Sequence, residues 1–282
     1  MSSNLLKSLF CKVIPQIYFF KGLGLIFLLL TSCNSTLYYR PVMLNLDRTY
    51  LPKPMLSDSS SSLYGLSGSY INTESNASFS AISDEQQVYE LNFTAAYIFK
   101  KVQIAYGGYL FWGQYANGAI QEGSTYYFDK KSFNGYGIRG SINLFQADGR
   151  FEFRFPGIEF SYSKEVGAFA QFRKSLINQD LYYTNPKTEL LTLGISNEVA
   201  WRNYRNENIY YAARLFIGHT FGDLAYYNNK STVDGPKKLN FPMVFDASFI
   251  FGLKQFYIVS TLTSLSSVKI SMGYAFRKRS KK

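Results

Sequence analysis

The chain has 282 residues, a net charge of +11, an aromatic fraction of 18% and two cysteines. Without Lys7, Lys12 and Lys21 the charge falls to +8, and without Arg277, Lys278, Arg279, Lys281 and Lys282 it falls to +3, so the basic character belongs to the two ends. That leaves no basic body for a nucleic acid to meet, and one His with two Cys gives no ligand cluster for a metal.

In chain order, the first element is a leader. Three lysines precede the apolar stretch Leu23 to Leu30, which ends in the small residues Thr31 and Ser32 and then Cys33. This is the layout of a secretory signal peptide. Gly22 to Ser32 is too short to span a bilayer, which takes about 20 apolar residues. Leu30-Thr31-Ser32-Cys33 resembles the lipobox of bacterial lipoproteins. The resemblance implies that residues 1–32 are removed and that Cys33 becomes the first residue and carries covalent lipid, such as palmitate. With Cys11 in the leader, no disulfide within the mature chain is expected.

Residues 33–62 read as a lipid-anchored tether, interrupted by Pro41, Pro52 and Pro54 and closed by the serine run before residue 63. Tyr38, Tyr39, Val42, Leu44, Tyr50 and Leu51 are too apolar for a pure spacer, so part of it is expected to pack on, or just inside, the domain that follows.

From residue 63 to 276 the period is two. Tyr89, Leu91, Phe93, Ala95, Tyr97 and Phe99 alternate with Glu90, Asn92 and Thr94, and comparable runs recur to Tyr274-Ala275-Phe276. Pro156-Gly157 shifts the phase as a β-bulge does. About ten strands follow. Several run to 11–14 residues, longer than the five to six usual in soluble proteins and matched to a tilted membrane-spanning strand. Their connections alternate between long and short, except that the last hairpin, around Ser264 to Ser267, is short where a long loop is due. Together these predict an all-β, antiparallel up-and-down barrel of the outer-membrane type. An even strand count puts both barrel ends on the short-turn, periplasmic side, and the anchor at Cys33 is expected there too. Residues 277–282 form a basic tail.

The polar face holds Glu90, Arg139, Glu159, Glu198, Arg214, Asp246 and Lys269. Four acids against three bases predict ion pairs that bridge strands and fill the interior, and not a one-sign pore. Small interior residues such as Gly137, Ser161 and Gly194 are expected to make room for these longer partners, and are equally compatible with a narrow channel.

The terminal strand closing on an aromatic resembles the C-terminal signal of outer-membrane barrels, with six further residues as a departure. Tyr38-Tyr39-Arg40-Pro41 through Asn45 to Pro54 loosely resembles the opening of Bacteroidota-type lipid-anchored outer-membrane lipoproteins. That resemblance implies a predicted barrel in the outer membrane of a Gram-negative bacterium, and little chemistry. Its expected contacts are outer-membrane lipid and an envelope partner at loops 116–132, 164–187 and 222–240. In the second loop, Val166, Phe169, Ala170, Leu176 and Ile177 fit a helical stripe that caps the barrel mouth.

No catalytic residue and no cofactor beyond lipid on Cys33 is expected. Some outer-membrane lipid A deacylases place a Ser-His-acid site on the lipid face, with Ser two residues after His. Here His219 is followed by Thr220 and Phe221. Phe221 stands in the place of the nucleophile, and Thr220 points to the opposite face of a strand. Four roles therefore compete: a structural or surface-interaction barrel, a narrow passive channel, a soluble lipocalin-like barrel holding an apolar ligand, and a lipid-modifying enzyme. The soluble barrel needs the opposite pleat, with Tyr89 and Phe93 inside and Glu90, Asn92 and Thr94 in water.

Overall fold

The computed structural model describes residues 42–45, 48–53, 55, 62–76, 83–117, 130–176, 185–221, 226–228, 237–239, 243–263 and 267–278. Cys33, Ile177 and the tail beyond Lys278 lie outside the described residues. Ten antiparallel strands close into a barrel. They are β1 (Ser62–Asn76), β2 (Ser83–Phe99), β3 (Val102–Asn117), β4 (Lys130–Asp148), β5 (Phe151–Val166), β6 (Glu189–Arg202), β7 (Ile209–Phe221), β10 (Met243–Leu253), β11 (Phe256–Thr263) and β12 (Val268–Lys278). Each pairs with its sequence neighbour in the barrel, and β1 closes on β12 from Ser62↔Lys278 to Asn72↔Val268. A short ribbon, β8 (Tyr226–Asn228) with β9 (Lys237–Leu239), sits in the connection from β7 to β10.

The turns at one end are tight, and this end holds both Ser62 and Lys278. Lys100-Lys101 and Lys254-Gln255 each begin with a residue in the left-handed region, φ 52° and 55°, the twist that two-residue hairpins favour. Gly149 meets the same requirement at the Asp148-to-Phe151 turn, with φ 58°. The register slips opposite Pro156, between Arg154 and Gly157 against β6 and between Asn143 and Phe145 against β4, so the bulge falls where the phase shift in the sequence places it.

The pleat is the one a lipid-facing barrel needs. Tyr89, Phe93 and Phe99 are exposed, whereas Glu90, Asn92 and Thr94 are buried. Among the described residues, 36 large apolar or aromatic side chains are exposed, far more than a water-soluble surface carries in one patch. This contradicts the soluble lipocalin-like alternative, which requires those side chains inside. The outward band ends in aromatic clusters. Tyr70, Tyr89 and Trp112 lie together toward the long-loop end. Tyr64, Tyr97 and Tyr106 lie together toward the short-turn end, with Trp201, Tyr211 and Phe251 continuing that row. Eight residues from Tyr89 to Tyr97 span about 27 Å along the strand, or about 20 Å along the barrel axis at a tilt of roughly 40°. Aromatic belts at that spacing suit the two interfaces of a bilayer.

Inside, aromatic rings lie across glycines of the neighbouring strand. Tyr109 faces Gly137, Phe111 faces Gly135, and Tyr257 faces Gly273. At Gly137 a Cβ would stand 2.3 Å from the Tyr109 ring. These glycines make room for rings, not for the charged partners expected from the sequence. Gly137→Val is therefore expected to abolish the folded, heat-modifiable gel band, because the buried ring has no space to retreat. Adding Tyr109→Ala should restore it. A normal band for Gly137→Val alone would contradict the packing.

Candidate functional site

The feature that decides what this barrel can do is the content of its lumen. An eight-stranded barrel is just wide enough for its own side chains; ten strands leave more room, and here a separate stretch of chain takes it. The described residues between 42 and 55, in the stretch read from sequence as tether, lie inside the barrel. Val42, Met43, Arg48, Thr49, Tyr50, Leu51, Lys53 and Met55 are all buried.

The segment descends from the long-loop mouth to the short-turn mouth. It opens in a 3-10 turn, Val42–Asn45. The Val42 amide donates to Glu165 Oε2 at 3.1 Å, near the long-loop end of β5. Val42 and Met43 pack with Ile71, Tyr115, Phe133, Phe169, Leu176 and Leu190 in an apolar layer beneath that mouth. Helix α1 (Ala168–Ser175) closes the layer: Phe169 stacks on Tyr115 at 4.0 Å, and Arg173 meets Glu165 at 2.8 Å. It buries Phe169, Ala170 and Arg173. The helical stripe read from sequence thus forms a cap, except that Val166 ends β5 and faces outward.

Below lies a polar layer. Arg48 Nε donates to Asp246 Oδ2 at 2.6 Å. Thr49 Oγ1 donates to Glu90 at 3.1 Å. Glu90 also receives Arg139 and Lys269, and Arg139 reaches Asn92 as well. Arg214 forks onto both oxygens of Glu159, through Nε at 2.9 Å and through Nη2. One step lower, Glu198 accepts from Tyr50 at 2.8 Å, from Lys53 Nζ at 2.7 Å and from Arg154, which also holds Glu152 at 2.6 Å. The floor is apolar again: Tyr50 and Met55 pack with Leu63, Ile250, Tyr257, Val259 and Ala275, and Leu51 with Ala96 and Ala105. Pro52 lies over Gly65, near the start of β1.

All seven charged residues singled out from the sequence point inward, and each belongs to an ion pair. Sequence reasoning missed Arg48, Lys53, Glu152, Arg154, Glu165 and Arg173. Glu152 and Arg154 carried a readable signal, alternating with the outward Phe151, Phe153 and Phe155. Arg48 and Lys53 carried none, since they lie on no strand. Among the described residues the lumen holds seven cations and six acids. A low-dielectric interior tolerates charges only when they are paired and hydrogen-bonded, and here the charges form cross-strand networks. The balance gives no one-sign lining. Between the segment and the walls, a cavity of about 10 Å³ remains beside Arg48, Thr49, Arg139 and Glu159, room for about one water.

His219 sits apart from all this. It lies on the outward face of β7 against Phe221, ring centres 4.5 Å apart, between Leu193 and Met243 on the flanking strands. Thr220 turns inward and bonds Thr192 at 2.9 Å, out of reach of the imidazole.

No protein-family model matches this sequence, and no curated protein resembles it significantly. Among solved structures the chain is similar to Neisserial surface protein A, at 11% identity and TM-score 0.32, over 78% of this chain and 98% of that one. It is similar to the transport unit of the autotransporter AIDA-I from Escherichia coli, at 7% identity and TM-score 0.42, over 85% and 99%. It is also similar to the outer membrane protein OprG from Pseudomonas aeruginosa, at 11% identity and TM-score 0.33, over 78% and 98%. The likeness is one of barrel form; the closed order of ten antiparallel strands, with its apolar face outward and its charges inward, makes this an outer-membrane-type β-barrel.

Proposed function

We propose that this protein is a lipid-anchored, non-conducting barrel in the outer membrane of a Gram-negative bacterium, with a structural or interaction role carried by its long loops. The observation that carries this reading is the lumen, filled by the described residues between 42 and 55 from one apolar layer to the other. A solute path needs a continuous wet space, and among the described residues the paired charges and packed rings leave none. Purified protein in planar bilayers is expected to stay silent; stepwise openings by the wild-type chain would favour the channel reading.

The anchor reading rests on the lipobox-like Leu30-Thr31-Ser32-Cys33. Radiolabelled palmitate is expected to enter the wild-type chain and not Cys33→Ala. Cys33→Ala is nevertheless expected to stay in the membrane pellet after a carbonate wash, because the apolar belt holds the barrel without the lipid. A folded, water-soluble Cys33→Ala protein would overturn the integral barrel.

A non-enzymatic role is supported by His219, which among the described residues has Leu193, Phe221 and Met243 beside it and no nucleophile on its face. His219→Ala is expected to leave the lipid A profile of the cells unchanged. Partners are expected at loops 116–132, 164–187 and 222–240, and cross-linking from these loops followed by co-purification tests that part.

A further inference from the structure

We infer that the chain is threaded through its own barrel, so that the mature N-terminus leaves at the long-loop mouth and is displayed on the cell surface. This reverses the expectation from strand parity, which put the anchor beside the short turns. Parity is right for β1, whose first residue Ser62 pairs with Lys278 at the short-turn end. It fails for the residues before β1, because they pass back through the lumen.

Three contacts set the direction. Val42 bonds Glu165, one residue from the long-loop end of β5. Thr49 bonds Glu90, midway along β2. Met55 packs with Leu63, Tyr257 and Ala275, all at the short-turn ends of their strands. Sequence order therefore runs from the outer mouth inward to the periplasmic mouth, and then into β1.

A return to the periplasmic side has nowhere to go. Nine residues, 33–41, precede Val42 in the mature chain. Fully extended they reach about 30 Å, roughly one hydrocarbon thickness. Among the described residues, the way back through the lumen is filled by residues 48–53 and Met55, with a cavity of about 10 Å³ beside Arg48 and Thr49. The way through lipid would leave backbone amides and Arg40 without partners in hydrocarbon. At the outer mouth the same nine residues reach the headgroups with length to spare. Any lipid on Cys33 then enters the outward-facing leaflet, and the protein presents an acylated terminus beside its long loops. The lipid part of this inference rests on the proposed acylation of Cys33; the threading does not.

The test is thiol labelling on intact cells with a membrane-impermeant maleimide. Thr36→Cys reports the N-terminus, Asn229→Cys the long-loop side and Tyr204→Cys the short-turn side. Heat-modifiable mobility verifies that each variant folds, and palmitate incorporation is read on the same protein. Thr36→Cys is expected to label on intact cells as fully as Asn229→Cys, whereas Tyr204→Cys labels only after permeabilisation. Surface labelling without palmitate would remove the acylation and keep the threading. Palmitate incorporation with Thr36→Cys labelled only after permeabilisation would overturn the threading and keep the lipoprotein.

Discussion

Glu198→Ala is expected to destabilise the folded barrel by about 3–5 kcal/mol, the usual consequence of stripping one partner from a buried charge network. Glu198 is fully buried and accepts from Arg154, Lys53 and Tyr50 at once. Without it, Arg154 falls back on Glu152, which also accepts from Gln103 at 2.8 Å. Lys53 stays buried and loses the carboxylate it bonds. The midpoint of the heat-induced mobility shift should fall well below that of the wild type. Because the cause is charge imbalance and not lost volume, Lys53→Met with Glu198→Met should recover most of the loss: Arg154 and Glu152 remain as a balanced pair. Such recovery is a coupling between neighbours, as a double-mutant cycle reads it. A double variant no better than Glu198→Ala would show that Lys53 and Glu198 do not meet.

The second large effect is on conductance. Replacing residues 42–55 by a glycine-serine stretch of equal length removes Arg48, Tyr50, Leu51, Lys53 and Met55 from the lumen, together with the side chains that join the apolar layers at both mouths. Among the described residues, the walls and the capping helix keep six acids and five bases. Where the wild-type chain is silent, this variant is expected to show stepwise openings with a weak cation preference, as a slight excess of acidic lining predicts. A variant as silent as the wild type would mean that the wall side chains alone close the barrel.

The two predictions touch what the sequence could and could not convey. A strand whose two faces meet different solvents must alternate, so β2 and β4 were legible residue by residue, Glu90 and Arg139 included. The bulge at Pro156-Gly157 announced itself by a broken phase. Residues 42–55 obey no such rule. They lie in a lumen contacted from all sides, so their apolar and charged residues follow the shape of the cavity and not a period. Val42, Tyr50 and Leu51 hinted at burial, but nothing in their spacing gave a direction, and the direction decides which side of the membrane the N-terminus faces. The inward rings were hidden for another reason. Tyr109, Phe111 and Phe133 share the inward face with the charged residues, and only the register, which sets each ring opposite a glycine, explains how they fit.

The central claim is that this chain occupies its own lumen, and a photo-cross-link from Tyr50 tests it most directly. Tyr50 lies midway through the segment, with its hydroxyl 2.8 Å from Glu198. Substitution by p-azidophenylalanine keeps the shape of the ring and adds a short-range reactive group. On illumination of folded protein, the account predicts an intramolecular link to β6 near Glu198, recovered as one joined pair of peptides by mass spectrometry. A folded barrel that gives no link from position 50 to any lumen-facing strand residue would contradict it.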